Sequence, residues 1–288
     1  MRFRGKIVDV GCIQHFTRVI SMVAKLAKNC TVRITASKIY FILSERLVNG
    51  GVNIWCELSQ TNFFSEYAMD GLSEDYNEIF LEVVPDNMVK CLKTAQTAKS
   101  VKIKLTKKHS PCLTFEVELP SLTGHSRVVT HDVPVNVIPR RLWDEFEEPE
   151  MPDFDVSIYM PSLKVLRNVT DKMKNLNNYV TIAANGSGEM VLKVETDMAS
   201  VSTHFGDLSN PQWSKENMPA AANSQPKDRD PEKFAEARID IRKFSQFLSG
   251  QQVNPERVIC NILDNRVVHF FLLHDDVSLQ YFMPVISS

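Results

Sequence analysis

Twelve basic side chains recur on the polar sides of four amphipathic segments, and the chemistry open to such a set is phosphate binding. They are Arg18, Lys25 and Lys28; Lys90, Lys93 and Lys99; Lys164, Arg167, Lys172 and Lys174; and Arg242 and Lys243. In the stretch MVKCLKTAQTAK, Met88, Leu92 and Ala95 share one side at helical spacing, and lysines with small polar residues fill the other. Negative charge on the four segments comes from Asp86, Asp171 and Asp240. Asp86 and Asp240 stand at helix starts, where a carboxylate caps free N–H groups whatever the function. Lys28, Lys99 and Lys174 fall near helix ends, where a cation also complements the helix dipole. Surface helices ordinarily mix signs to gain i,i+4 pairs. Four segments that omit such pairs together fit a surface turned toward a polyanion. Ser, Thr and Gln between the cations suit backbone contact without base reading. The lack of aromatic residues on these sides argues against stacking of single strands. Duplex DNA, held loosely by its phosphates, is the expected ligand.

Other chemistry is poorly served. The seven histidines are dispersed, and the chain has no Walker A, G-x-G-x-x-G, G-x-S-x-G or H-E-x-x-H motif. His274-Asp275-Asp276 is the tightest His–Asp group; lying between two strand signals, it reads as a hairpin turn rather than a metal site. The six cysteines include no C-x-x-C pair and read as free thiols of a reducing compartment. No catalytic residue, metal or cofactor is expected, and neither a signal peptide nor a membrane span is read.

The elements that must position the cations follow from patterning. The 288 residues, 43% apolar and 24% charged with net charge −2, allow a large core and predict no bulk attraction to nucleic acid. Binding therefore has to come from segregated charge. From Leu47 to Val89 there is no Lys or Arg, while Glu57, Glu66, Asp70, Glu74, Asp75, Glu78, Glu82 and Asp86 fall in that interval. Positive charge is on helices and negative charge on strands and turns. Alternating segments RFRGKIVD, CTVRIT, KIYFIL, VNIWCEL, EIFLEVV, VKIKL and CLTFEVEL predict strands, with a turn at Asn49-Gly50-Gly51. Helices are predicted over residues 11–29 and 86–99.

A proline-rich connector, residues 135–153, then separates a first unit (1–134) from a second (154–288). The second repeats the order: DVSIYM, a helix over 162–177, YVTIAA, MVLKVE, ASVSTHF, a helix over 240–250, then RVICNIL, VVHFFLL and SLQYFMPV. Ile13, Phe16 and Val23 align with Leu163, Leu166 and Met173, and Lys90, Leu92 and Ala95 with Arg242, Phe244 and Phe247. The fold class is α+β, two tandem units of two helices on mostly antiparallel sheet. Residues 206–237, polar and proline-containing, are expected to form a flexible loop.

The two-unit plan with basic helices resembles a sliding clamp of the PCNA type. FRGKIVD, LAKNCTVRI, WCEL, LKTAQTAKSVKIKLT, VIPRRLW, GQQVNP and DVSLQYFMP resemble the Hus subunits of the 9-1-1 checkpoint clamp, along essentially the whole chain. The resemblance implies two tandem DNA-clamp domains, helices on the inner face of a ring and sheets outside. It implies a heterotrimer with two Rad-family clamp paralogues, a clamp loader, checkpoint activators and repair enzymes as partners, and no catalysis. It implies residence in the nucleus, with a cytoplasmic pool before assembly. Subunit contacts would use the edges at Ser126, Val128, Thr130 and Asp132 and at Val201, Thr203 and Phe205. A partner-peptide groove would fall beneath the connector, at Ile42, Leu43, Ile138, Phe282, Met283, Pro284 and Val285. Ser224-Gln225 has the form favoured by checkpoint kinases. A homotrimeric replication clamp and a protein-interaction scaffold without DNA remain the alternatives.

Overall fold

The computed structural model describes residues 1–44, 51–120, 127–211, 229–250, 253, 255–274 and 276–286. The first unit runs β1 (Arg2–Ile7), α1 (Val10–Leu26), β2 (Cys30–Ile34), β3 (Lys38–Ser44), β4 (Asn53–Ser59), β5 (Glu66–Asp70), β6 (Ile79–Val83), α2 (Pro85–Lys93), β7 (Ser100–Lys107), β8 (Pro111–Leu119) and β9 (Arg127–Pro134). The connector carries β10 (Asn136–Val137) and a 3-10 helix (Arg140–Phe146). The second unit runs β11 (Val156–Tyr159), α3 (Leu163–Met173), β12 (Tyr179–Ala184), β13 (Met190–Glu195), β14 (Ser200–Phe205), β15 (Ala235–Asp240), α4 (Ile241–Gly250), β16 (Arg257–Leu263), β17 (Val267–His274) and β18 (Val277–Pro284).

The strands form three antiparallel sheets. A five-stranded sheet (β5-β1-β7-β8-β9) belongs to the first unit and a four-stranded sheet (β14-β13-β12-β15) to the second. A nine-stranded sheet (β10-β6-β2-β3-β4-β18-β17-β16-β11) spans both, because β18 pairs with β4 from Val277↔Leu58 to Phe282↔Asn53. Alternation sets the faces. On β8, Leu113, Phe115 and Val117 are buried on the core side, while Glu116 and Glu118 are half-exposed on the other face, where Thr114 is covered by its neighbours. The helices complete the core: Phe247 of α4 lies 4.7 Å from Phe270 and 5.2 Å from Tyr281, ring centroid to centroid. Phe16 of α1 meets Phe63 and Phe64 edge-on.

The connector carries structure of its own. β10 pairs with β6, Trp143 Nε1 donates to the Ile138 carbonyl at 3.0 Å, and the Trp143 ring stacks on Phe80 at 4.5 Å. The expected loop is too long at its end, since Ala235–Ala237 already belong to β15. Its flanks are also fastened: Asn210 Nδ2 donates to the Ser157 and Asn185 carbonyls, and Arg229 Nη1 lies 3.3 Å from Asp155 Oδ1. Asn49-Gly50, Ser126 and Ser224-Gln225 lie outside the described residues.

Helix ends also come early. α1 stops at Leu26 because Ala27 is extended, α2 at Lys93, where Thr94 Oγ1 bonds the Cys91 carbonyl, and α3 at Met173. Sequence patterning does not reveal β5 or β15. β15 alternates, but with small Ala235 and Ala237 on its buried side, a weak signal.

Candidate nucleic-acid interface

The four helices lie side by side in the order α2–α1–α4–α3. The central seam is built from backbone contacts. Lys25 Nζ reaches the Ser249 carbonyl at 3.3 Å, and the Gln246 side-chain amide donates to the Lys25 carbonyl. A Cβ on Gly250 would stand 3.3 Å from Leu26 Cδ2, so glycine permits the close approach. At the outer seams, Gln14 Nε2 donates to the Gln96 carbonyl at 3.4 Å and Ser245 Oγ to Asp171 Oδ1 at 3.4 Å. The two units thus contribute to one continuous helical surface.

The expected cations sit on it as follows. Arg18, Lys25, Lys90, Lys93, Lys164, Arg167, Lys172 and Arg242 lie within helices with exposed side chains, and Lys243 lies within α4, half-buried. Lys174 caps α3; Lys28 and Lys99 follow their helices, exposed, at the entries to β2 and β7. On α1 the buried stripe Ile13, Phe16, Ile20 and Val23 sets Gln14, Arg18, Ser21 and Lys25 on the opposite side. Among the described residues, no carboxylate pairs with Arg18, Lys25, Lys28, Lys90, Lys93, Lys99, Lys164, Lys172 or Arg242. Their charge is left for a ligand.

Helix α3 departs from the expectation of unpaired cations. Asp171 Oδ1 lies 2.8 Å from Lys174 Nζ, and Asp171 Oδ2 3.9 Å from Arg167 Nε. The Lys174 hydrogen bond holds the Asp171 carboxyl below its usual range, so it stays ionised. Arg167 and Lys174 are therefore partly neutralised. Helical spacing puts them with Asp171 on the flank facing α4, and Lys172 on the far flank with exposed Val165.

Asp240 Oδ1 accepts from the backbone N–H groups of Arg242 and Lys243, so that acid acts as a cap. Three of the acids in and beside the strands pair with cations. Glu57 pairs with Lys38 at 2.5 Å, Glu66 with Arg4 and Lys6, and Glu78 with Arg33 at 2.7 Å.

The expected edges are sheet ends: β9 closes the five-stranded sheet and β14 the four-stranded one. Val128 is 56% exposed and Val201 39%, both large for aliphatic side chains, and they leave apolar surface at each edge. Thr130 faces out beside them. Asp132 is tied to Lys108 at 2.6 Å and accepts from Thr114 Oγ1, while Thr203 and Phe205 are half-buried, Phe205 against the core.

The groove expectation fails in its simple form. Ile42 and Phe282 are 3% and 4% exposed, and alternation puts them on the outer face of the nine-stranded sheet, with Trp55. The connector's helix packs on β3 and covers this face. Leu43, Met283 and Val285 face the core instead; Pro284 and Ile138 are half-buried, and the Ile138 N–H donates to Phe80. What stays open beside the connector is a cleft of about 400 Å³ walled by Arg33, Tyr76, Glu78, Phe80, Arg140 and Trp143.

One cluster is half legible in the sequence: His274-Asp275-Asp276 stands out as a hairpin turn, and its neighbour His15 does not. The hairpin between β17 and β18 brings His274 and Asp276 against His15 of α1. Their separation of some 260 positions gives no local signal. Burial and the neighbouring His274 hold His15 below the usual histidine range, with Asp276 opposing.

Comparison with known proteins agrees with this architecture. A family model described as Hus1-like protein matches residues 1–287. Checkpoint protein HUS1 of Homo sapiens is 55% identical over 287 residues, covering 100% of both chains. Checkpoint protein hus1 of Schizosaccharomyces pombe is 28% identical, covering 96% of this chain and 94% of its own. Among solved structures, PCNA of Entamoeba histolytica superposes with TM-score 0.70 at 12% identity, over 99% of each chain. PCNA of Thermococcus kodakaraensis gives 0.67 at 14%, over 99% of this chain and 100% of its own. These two show the fold alone. With a clamp fold over its whole length and a family match that runs from residue 1 to residue 287, the chain belongs to the Hus1-like checkpoint protein family.

Proposed function

We propose that this chain is a non-catalytic subunit of a heterotrimeric checkpoint clamp that encircles duplex DNA. The observation that carries the reading is the single row of four helices where, among the described residues, seven cations on the helices and two just beyond them (Lys28 and Lys99) have no carboxylate partner. Phosphate contact from such a row is sequence-independent and salt-sensitive, and contacts can form and break as a ring moves. Topology keeps a closed ring on the duplex, and the phosphate contacts add a salt-sensitive share of the retention. Lysines act as point charges and lack the planar fork that reads bases, which suits sliding.

The partners in this reading are two Rad-family clamp paralogues, each taking one apolar edge, β9 or β14. A clamp loader opens the ring at damaged DNA, and checkpoint activators and repair enzymes dock on the outer surface. The chain works in the nucleus and waits in the cytoplasm before assembly.

The first test is the mass of the purified chain in solution. A lone subunit that forms a ring when both paralogues are added supports the proposal. A stable homotrimer supports a replication clamp instead. An assembled ring that fails to stay on closed circular DNA after loading would leave a scaffold.

A further inference from the structure

We propose that His15, His274 and Asp276 bind one divalent transition-metal cation across the seam between the two units. Each residue offers one ligand atom, and the three atoms lie within 4.8 Å of one another. His15 Nε2 stands 3.8 Å from Asp276 Oδ2, and the His15 and His274 ring centroids are 4.7 Å apart with planes at 29°. Metal–nitrogen bonds of about 2.1 Å put neighbouring ligand atoms roughly 3.0–3.5 Å apart. Closure of the triad by about an ångström would reach that spacing. The triad closes once the His274 ring rotates out of its stack on His15, a change confined to one half-buried side chain at the end of β17.

A second observation points into the same space. His15 Nε2 is buried and has no hydrogen-bond partner, although its side chain is 12% exposed overall. Buried polar atoms normally find a partner, and a cation at the centre of the triad would give this one. The His15 ring is held in place by Phe63, parallel to within 2° at 5.3 Å. Cys12, on the same helix, is directed elsewhere: its Sγ donates to the Asn62 carbonyl at 3.5 Å. The donor set is therefore two imidazole nitrogens and one carboxylate oxygen. Imidazole selects zinc, cobalt or nickel over magnesium and calcium, which prefer all-oxygen cages. Three protein ligands leave a coordination position for water.

The location gives the site a consequence. His15 belongs to the first unit and the hairpin to the second, so a bound cation cross-links them. Such a link stabilises the folded chain by mass action and damps opening of the hairpin. This inference does not depend on the ring or on DNA.

The test uses the full-length chain, stripped with chelator and titrated with Co²⁺ and then Zn²⁺. The expected result is saturable binding of one Co²⁺ per chain, read as visible absorption, and its displacement by Zn²⁺. Zn²⁺ should raise the melting temperature and slow hydrogen exchange at residues 272–278. His15→Asn and His274→Asn should each weaken binding about tenfold or more; His109→Asn, at an exposed histidine elsewhere, should not. His274→Asn, on the half-buried hairpin, keeps the test open should His15→Asn fail to fold. Absence of saturable binding would overturn the proposal and leave a water or a His15–Asp276 ion pair. Binding that both variants retain in full would overturn it as well.

Discussion

Lys25 Nζ lies 3.3 Å from the backbone carbonyl oxygen of Ser249, a partner 224 residues further along the chain. The contact fastens α1 of the first unit to α4 of the second and makes two pairs of helices into one surface. This seam, together with the β4–β18 pairing beneath it, sets the two helix pairs side by side as one row.

Charge on the row is expected to govern DNA retention without governing folding. Alanine at Lys25, Lys90, Lys93 and Lys164 should make retention of the assembled ring less salt-dependent, by about 0.9 in the log–log slope for each phosphate no longer neutralised. Ring assembly should be unchanged, and chain stability should move by only about 0.5 kcal/mol per site. Retention measured across a salt series, with ring mass as control, checks both.

Asp171 sets a contrary prediction. It neutralises Lys174 at 2.8 Å and part of Arg167. Asp171→Asn should free both and strengthen DNA retention, whereas Lys174→Ala alone should change it less than Lys164→Ala. Equal losses from the two lysines would show that the pairing does not matter in the ring.

The connector should be held by Trp143, which is 7% exposed and stacks on Phe80 at 4.5 Å. Trp143→Ala removes that anchor and leaves a cavity, at a cost of about 3–5 kcal/mol. Denaturant unfolding measures the loss. Limited proteolysis should show new cleavage between residues 139 and 153.

Stability should fall on acidification because of His269. Its ring is fully buried, with Asn261 Nδ2 3.0 Å from Nδ1, and burial pushes its pKa down to about 3, with Gln280 opposing. The unfolded chain takes up this proton near pH 6.5 and the folded chain does not. The stability is therefore complete above that value and is lost as pH falls toward 3, by about 2 kcal/mol at pH 5. His269→Gln should be less stable at pH 7.5 but should have a flatter profile between pH 7 and 5. An unchanged profile would place the titration elsewhere.

Gly188 pins the loop base. Its φ is +84°, and a Cβ there would stand 2.1 Å from the Leu208 carbonyl oxygen, in a turn where Leu208 N–H donates to Gly188 at 2.9 Å. Gly188→Ala should cost about 1–3 kcal/mol, with hydrogen exchange at Leu208 faster than in the parent chain.

The sequence exposes some of these relations and hides others for physical reasons. Strand alternation and helical stripes are local, so most strands and all four helices are legible from patterns such as CLTFEVEL or MVKCLKTAQTAK. Helix ends are overrun because Lys28 and Lys99 continue the polar periodicity after the backbone has turned. The pairing of β4 with β18 leaves no trace, since hydrogen bonds between distant strands depend on no particular residue. Ile42 and Phe282 are assigned to a groove by the resemblance alone, which carries no information on what covers them; Phe282 stacks on His269 at 4.3 Å. His274 stands out in the sequence only as part of a turn, and its meeting with His15 comes only through tertiary folding.

Photo-cross-linking tests the central claim most directly. A benzophenone amino acid replaces Ser21 between the cations of α1, or Glu57 on the outer sheet, in the assembled ring loaded on duplex DNA. The account predicts a DNA adduct from position 21 and none from position 57; adducts from position 57 alone, or equally from both, would contradict it.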